Sequence, residues 1–340
     1  MKRSNNYLLC LLCCQFLLSG VSAEDKKHSF TEEHVELSNE IIQILENYHF
    51  TKKKYPSIKK EALDSYLDRL DPGRSIFLQK EIDSFLSENN NDDPYDQQAS
   101  LGKAFKIFDL YRTRYIARYT QQKEMLSEIE SLDLKQNRKI LKDRSEASRP
   151  DNLENLKLLW DDILINDVIQ LRLSGNDLPE TKTKLTKRLN NQFNFFEQTK
   201  SEDVLDLYIN SVALTYGPHT IYMSPKRTED FDIDMSLSLE GIGALLSSDG
   251  MYTIIASLVP GGPAEKSNKL KPNDKIIGIA QENEEVITDV IGWRIDDVVQ
   301  LIRGPKDTKV LLEIIPATSL DESQTQVIKI TRNVVKLEDQ

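Results

Sequence analysis

Cysteine is almost absent from this sequence of 340 residues, and the three that occur, Cys10, Cys13 and Cys14, all lie near the N-terminus. Beyond them no disulfide framework can staple the fold. No thiol nucleophile is available there, and no thiolate can ligate zinc. Histidine is scarce as well, with only His28, His34, His49 and His219. None has a clear ligand partner, so no metal site and no cofactor are expected. Positive charge is in the minority, with 44 Lys and Arg against 55 Asp and Glu and a formal charge of −11. That balance argues against nucleic acid as a partner. Asp230, Asp232 and Asp234 alternate through a segment read as extended and are expected on a solvated edge, since no calcium-loop spacing surrounds them. A three-glycine dinucleotide fingerprint is also missing.

What stands at the N-terminus reads as an export signal. Lys2 and Arg3 precede an apolar run from Tyr7 to Leu18, and Val21-Ser22-Ala23 supplies small residues for cleavage. The run is short for a bilayer span. Cleavage would leave a chain starting near Glu24, free of cysteine and with its charge moved to −13 by the loss of Lys2 and Arg3. Export without cysteine suits a bacterial periplasm. A retained segment would instead hold the protein at the inner membrane.

Residues 30–215 read as mainly helical. Val35, Leu37, Ile41, Ile42, Ile44 and Leu45 approximate a 3.6-residue period. Ile58 to Leu70 and Phe77 to Phe85 follow, then a polar loop from Glu88 to Pro94. Ala99 to Ile129 is the longest candidate, with Phe105, Phe108, Tyr111, Tyr115 and Tyr119 on one face, expected to pack against neighbouring helices. Lys135 to Pro150 reads as charged and solvated. Leu153 to Leu173 carries Trp160 as a core anchor, Leu178-Pro179 reads as a break, and Glu180 to Phe196 resumes. Ser201 to Tyr216 closes the region, with Ser201 expected to cap its start.

After Gly217-Pro218 the pattern changes to strands: Gly243–Ser247, Tyr252–Leu258, Lys275–Ala280, Val310–Ile315 and Gln326–Val335. Ser248-Asp249-Gly250 reads as a tight turn. Arg294 to Arg303 is the one clear helix here, with Ile295, Val298, Val299 and Ile302 at helical spacing and Gly304-Pro305 as its stop. Within this region Leu239-Glu240-Gly241-Ile242-Gly243 is the most informative stretch. A terminal carboxylate needs backbone N–H groups converging on one point, where side chains would obstruct. Gly241 and Gly243 bracket Ile242 in that way. The Leu239–Gly243 loop is expected to hold the carboxylate, and the strand after it to pair with the guest backbone. Ile242, Leu245 and one of Val298, Val299 or Ile302 are expected to line the pocket for the last side chain.

The ordered set from Gly241 through Gly261-Gly262-Pro263-Ala264 and Lys271-Pro272-Asn273-Asp274 to Gly304-Pro305 resembles the PDZ domain of the carboxy-terminal processing, or tail-specific, proteases of Gram-negative periplasms. Pro218-His219-Thr220, Thr228-Glu229-Asp230-Phe231 and Asp289-Val290-Ile291-Gly292-Trp293-Arg294 carry the same resemblance, and Tyr66 to Asp71 with Phe77 carry it more loosely. Gly217 departs from it, standing where the family usually has aspartate. The resemblance implies a multidomain α+β fold, an all-helical N-terminal domain followed by a PDZ-like, partly open β-barrel with a groove helix. It divides the chain into a signal peptide at 1–23, a helical domain at 24–215, a connecting segment at 216–238, a PDZ domain at 239–332 and the start of a linker at 333–340. The family cleaves peptide bonds with a serine nucleophile and a lysine base. Those motifs have no match before Gln340, so no catalytic residue is assigned and the chain alone is expected to bind without cleaving. The implied partners are unfolded or misfolded periplasmic proteins with apolar C-termini, cell-wall hydrolases and a lipoprotein adaptor reached through the helical domain. A stand-alone adaptor, an inhibitor or a chaperone-like scaffold is the alternative.

Overall fold

The structure, a computed structural model, describes residues 28–87, 93–135, 138–319 and 324–336. The export segment with its cysteines, most of the 88–94 loop and residues 337–340 lie outside the described residues. Helix α1 (Glu32–Tyr48) opens with a reciprocal cap: the Thr31 hydroxyl accepts the His34 N–H, and His34 Nδ1 accepts the Thr31 N–H. Then come α2 (Tyr55–Leu70), α3 (Gln79–Leu86), α4 (Gln97–Ser127), α5 (Leu153–Leu173), α6 (Leu178–Glu197) and α7 (Ser201–Tyr216). Helices α1, α2, α4 and α7 enclose one core in which Tyr55, Tyr66, Leu67, Leu101 and Tyr208 are buried. The Tyr55 and Tyr208 hydroxyls lie 2.8 Å apart, and the Tyr66 hydroxyl donates to Ala104 O at 3.1 Å, whereas the buried Tyr216 hydroxyl has no partner among the described residues. Trp160 is buried as expected, with Nε1 donating to Ser75 O at 2.7 Å.

Three helical expectations need correction. Leu178-Pro179 does not break a helix but begins one. Pro179 sits in the first turn of α6, where its missing N–H costs nothing, and the Asp177 carboxylate accepts the Glu180 N–H at 2.8 Å. Ser201 is the first residue of α7 rather than its cap. Lys200 precedes the helix, and Asp203 accepts the Lys200 N–H at 2.8 Å. The 135–150 segment is not merely solvated. Ala147 and Arg149 are buried, and Arg149 bonds Asp71 at 2.5 Å and Asp68 at 3.0 Å.

The second half begins with α8 (Pro225–Ser236) and β1 (Ser238–Gly241), followed by β2 (Ala244–Asp249), β3 (Tyr252–Leu258), α9 (Pro263–Ser267), β4 (Lys275–Gln281) and β5 (Thr288–Asp289). Then come α10 (Ile295–Ile302), β6 (Lys309–Ile315), β7 (Gln326–Thr331) and β8 (Asn333–Lys336). One antiparallel sheet runs β2-β3-β4-β6-β7, with β5 on β4, and β1 pairs with β8 in a separate ribbon. The sheets stay open. Ile242, Ile255, Ile276, Val298, Leu312 and Ile330 fill the core between strands and α10. Gly250, at φ +66°, turns β2 into β3 where the sequence placed a turn. Asp230, Asp232 and Asp234 are helical, in α8, not extended. The expected strand Gln326–Val335 is two strands, divided at Arg332.

Candidate peptide-binding groove

Among the described residues strand β2 has a single strand neighbour, β3, so its other edge is free, and α10 packs beside it. That edge and α10 form the two walls of a groove. The Val259 N–H donates to Gly243 O at 2.9 Å, one residue beyond the Ala244–Leu258 pair. This makes Ala244–Leu258 a non-hydrogen-bonded pair, so the Ala244 N–H and C=O face the free edge. The strand therefore offers main-chain groups to an added chain.

At the head of the groove the expected five-residue loop is shorter. Leu239 and Gly241 belong to β1 and pair with Val335 and Asn333 of β8. Only Ile242 and Gly243 lie between strands. The Ile242 carbonyl accepts the Ala264 N–H of α9 at 2.8 Å. In a trans peptide the following N–H points the opposite way, so this bond turns the Gly243 N–H away from α9. Among the described residues, neither the Ile242 nor the Gly243 N–H is given an acceptor. Gly243 has φ +73°, and a Cβ there would lie 3.2 Å from Gly262 Cα and 3.3 Å from Val335 Cγ2. Glycine is thus required by both conformation and space. At Gly241 a Cβ would meet only the flexible end of Leu239, Cδ1 at 3.0 Å, so glycine is favoured there less strictly.

The profile described as "Tail specific protease N-terminal domain" matches residues 41–226, more than half of the chain, and that described as "PDZ domain" matches residues 230–315. The chain belongs to the tail-specific protease family. A tail-specific protease of Haemophilus influenzae is 39% identical over 294 residues, which are 86% of this chain and 41% of that protein. The carboxy-terminal processing protease CtpA of Bacillus subtilis is 33% identical over 121 residues, 35% of this chain and 24% of its own length. Among solved structures, the PDZ domain of the carboxy-terminal protease from Vibrio cholerae, in complex with peptide, is 51% identical. It covers 30% of this chain and 100% of its own, with a TM-score of 0.28. The chain spans less than half the length of the two curated relatives.

Within this PDZ region the expected site residues separate by exposure. Ile242, Val298 and Ile302 are buried at 2%, 0% and 4% exposure and belong to the core. Val299 stays half-exposed, as does Ile295 one turn earlier. Leu245 is 61% exposed and pairs across the ladder with the exposed Ser257. Its neighbours Ala244 and Leu246 instead pack toward the core. Those two were missed, although counting by two from Ile242 would have found them. A cation beside the loop is Arg303, whose Cγ would lie 3.9 Å from a Cβ on Gly241. It is held by Asp230 of α8 at 2.9 Å, with Glu229 at 4.0 Å. Two histidines make tertiary contacts: His28 Nε2 lies 2.9 Å from Thr199 O, and His49 Nε2 lies 3.0 Å from Thr220 Oγ1.

Proposed function

We propose that this groove binds the free C-termini of polypeptides ending in an apolar residue, as the substrate-recognition part of a periplasmic tail-specific endopeptidase. The Ile242 and Gly243 N–H groups receive the terminal carboxylate, and the Ala244 N–H and C=O pair with the guest backbone. The last side chain enters the cleft between Ala244 and Leu246 on one wall and Val299 on the other. The observation that carries this reading is the pair of N–H groups at Ile242 and Gly243 without acceptors, at the head of an unpaired strand edge. Backbone pairing accepts many sequences, which suits a receptor for unfolded chains, and the apolar cleft selects the terminal residue. Misfolded periplasmic proteins and cell-wall hydrolases are the expected guests.

The test is titration of the chain with a peptide ending in alanine or leucine, as free acid and as C-terminal amide. We expect amidation to weaken binding about tenfold or more, equivalent to about 1.4 kcal/mol, and a terminal aspartate to do the same. Val299→Arg should abolish binding without altering the melting temperature. Equal affinity for acid and amide would remove the carboxylate from the account and overturn the proposal.

A further inference from the structure

A cavity of about 810 Å³ opens in the helical half, between the α2–α3 loop, α4, α5 and residues 140–144. A second, of about 450 Å³, shares Tyr111, Tyr115 and Arg118 with it. The first is within the range that holds a small molecule, roughly 300–1,000 Å³. Its charged lining is unusual in how it is paired. Asp71 is fully committed: it accepts the Ser75, Ile76 and Phe77 N–H groups and the Arg149 guanidinium. Arg144 donates to Gly73 O and Arg74 O.

Arg118 and Asp167 are not so committed. Arg118 Nη1 donates to the neutral Ser75 Oγ at 3.2 Å. Asp167 has neither hydrogen bond nor ion pair among the described residues. The two do not pair with each other; each feels the other's charge, Asp167 after the stronger influence of Arg188 and Arg118 after that of Asp71. Burial pushes the Arg118 guanidinium down from its ordinary value and the Asp167 carboxyl up. Both side chains are only partly exposed, and a ligand carrying both complementary charges would offset the cost of that partial desolvation. Tyr111, Tyr115, Ile140 and Ile163 supply an apolar wall beside them.

We propose that this cavity is a binding site for a small zwitterion, an α-amino acid with an apolar or aromatic side chain, whose carboxylate is held by Arg118 and whose ammonium is held by Asp167. The side chain lies against Tyr111 and Tyr115. The site is independent of the peptide groove.

The experiment is calorimetric titration of the full chain with L-phenylalanine, N-acetyl-L-phenylalanine and L-phenylalaninamide. It is repeated on Arg118→Met and Asp167→Asn after circular dichroism has shown both to be folded. Phenylalanine should bind the wild type one to one, and each blocked analogue about tenfold or more weakly. Asp167→Asn should erase the difference between phenylalanine and its N-acetyl form, and Arg118→Met the difference between phenylalanine and its amide, as a double-mutant cycle requires. No saturable binding of phenylalanine to the wild type would overturn the proposal. So would equal binding of the three probes, or binding that both substitutions leave unchanged. The wild-type comparison of the three probes does not depend on either variant folding.

Discussion

Gly243 shows how much one residue can carry. Its left-handed φ of +73° aims its N–H at the head of the groove, and its missing side chain admits Gly262 and Val335. Gly243→Ala should therefore cost about 1–3 kcal/mol from backbone strain alone, measured by urea denaturation. Affinity for a free C-terminus should fall with it. A variant as stable and as tight-binding as the wild type would show that the turn is not under this constraint. The Gly-x-Gly bracket was legible in the sequence because few residues other than glycine tolerate such a bend. The facing of Leu245 was less legible, because alternation from Ile242 fixes its phase only once Ile242 is known to lie in the core. Glu46 gives a second test at this scale. Burial alone would raise its carboxyl, but the Tyr55 N–H at 2.7 Å, Lys54 at 3.0 Å and the Tyr95 hydroxyl outweigh that, and it lies below the usual carboxylate value. A depressed folded value stabilises the fold above the unfolded carboxylate pKa of about 4.3, and the gain is lost as pH falls through the folded value. Glu46→Gln should thus melt below wild type at pH 7, with the gap closing in acid. A gap independent of pH would contradict this assignment.

Among the elements, α10 is the one on which the groove depends, and its C-terminal end is held by a residue remote in sequence. Arg332 is 3% exposed and donates to Ile302 O at 2.7 Å, Leu301 O at 3.0 Å, Gln281 Oε1 at 2.7 Å and Thr308 Oγ1 at 2.9 Å. A guanidinium on the last carbonyls of a helix satisfies otherwise free acceptors and opposes its dipole. Arg332→Met should cost about 2–3 kcal/mol, as expected for hydrogen bonds to a charged group, and should loosen α10, read as faster amide exchange at Leu301 and Ile302. Unchanged exchange there would assign Arg332 to some other role. The same residue marks where one expected strand proved to be two: burial alternates at Ile328, Ile330 and Arg332 and then shifts phase to Val335. Long apolar periods such as α4 and α10 were read correctly because packing on one face repeats in the sequence. α8 was not, since it buries no residue and has no such repeat to display. Pro225 at its first turn was the available signal.

At the scale of the whole molecule, the helical and PDZ regions are joined by charges rather than by apolar surface. Arg294, at the start of α10, bonds Asp203 at 2.5 Å, and Lys200 bonds Asp297 at 2.8 Å. Gln198 donates to Gly292 O at 3.0 Å, and Lys187 meets Asp249 at 3.0 Å. These partners are partly exposed, whereas each region closes over its own apolar core. Exposed pairs are worth little singly and are screened by salt, with a Debye length of about 8 Å at physiological strength and about 3 Å at 1 M. The helix that walls the groove is therefore also the helix that ties the two regions together, through pairs that salt can weaken. High salt, or Arg294→Met with Lys200→Met, should free the regions to move relative to each other. Small-angle scattering should then report a larger radius of gyration, and protease should cut faster between residues 217 and 237. The melting of each region should change little, because neither core contains these charges. If scattering is superimposable at low and high salt, the ionic contacts do not set the arrangement. A junction held by something other than these pairs would then have to be sought around α8.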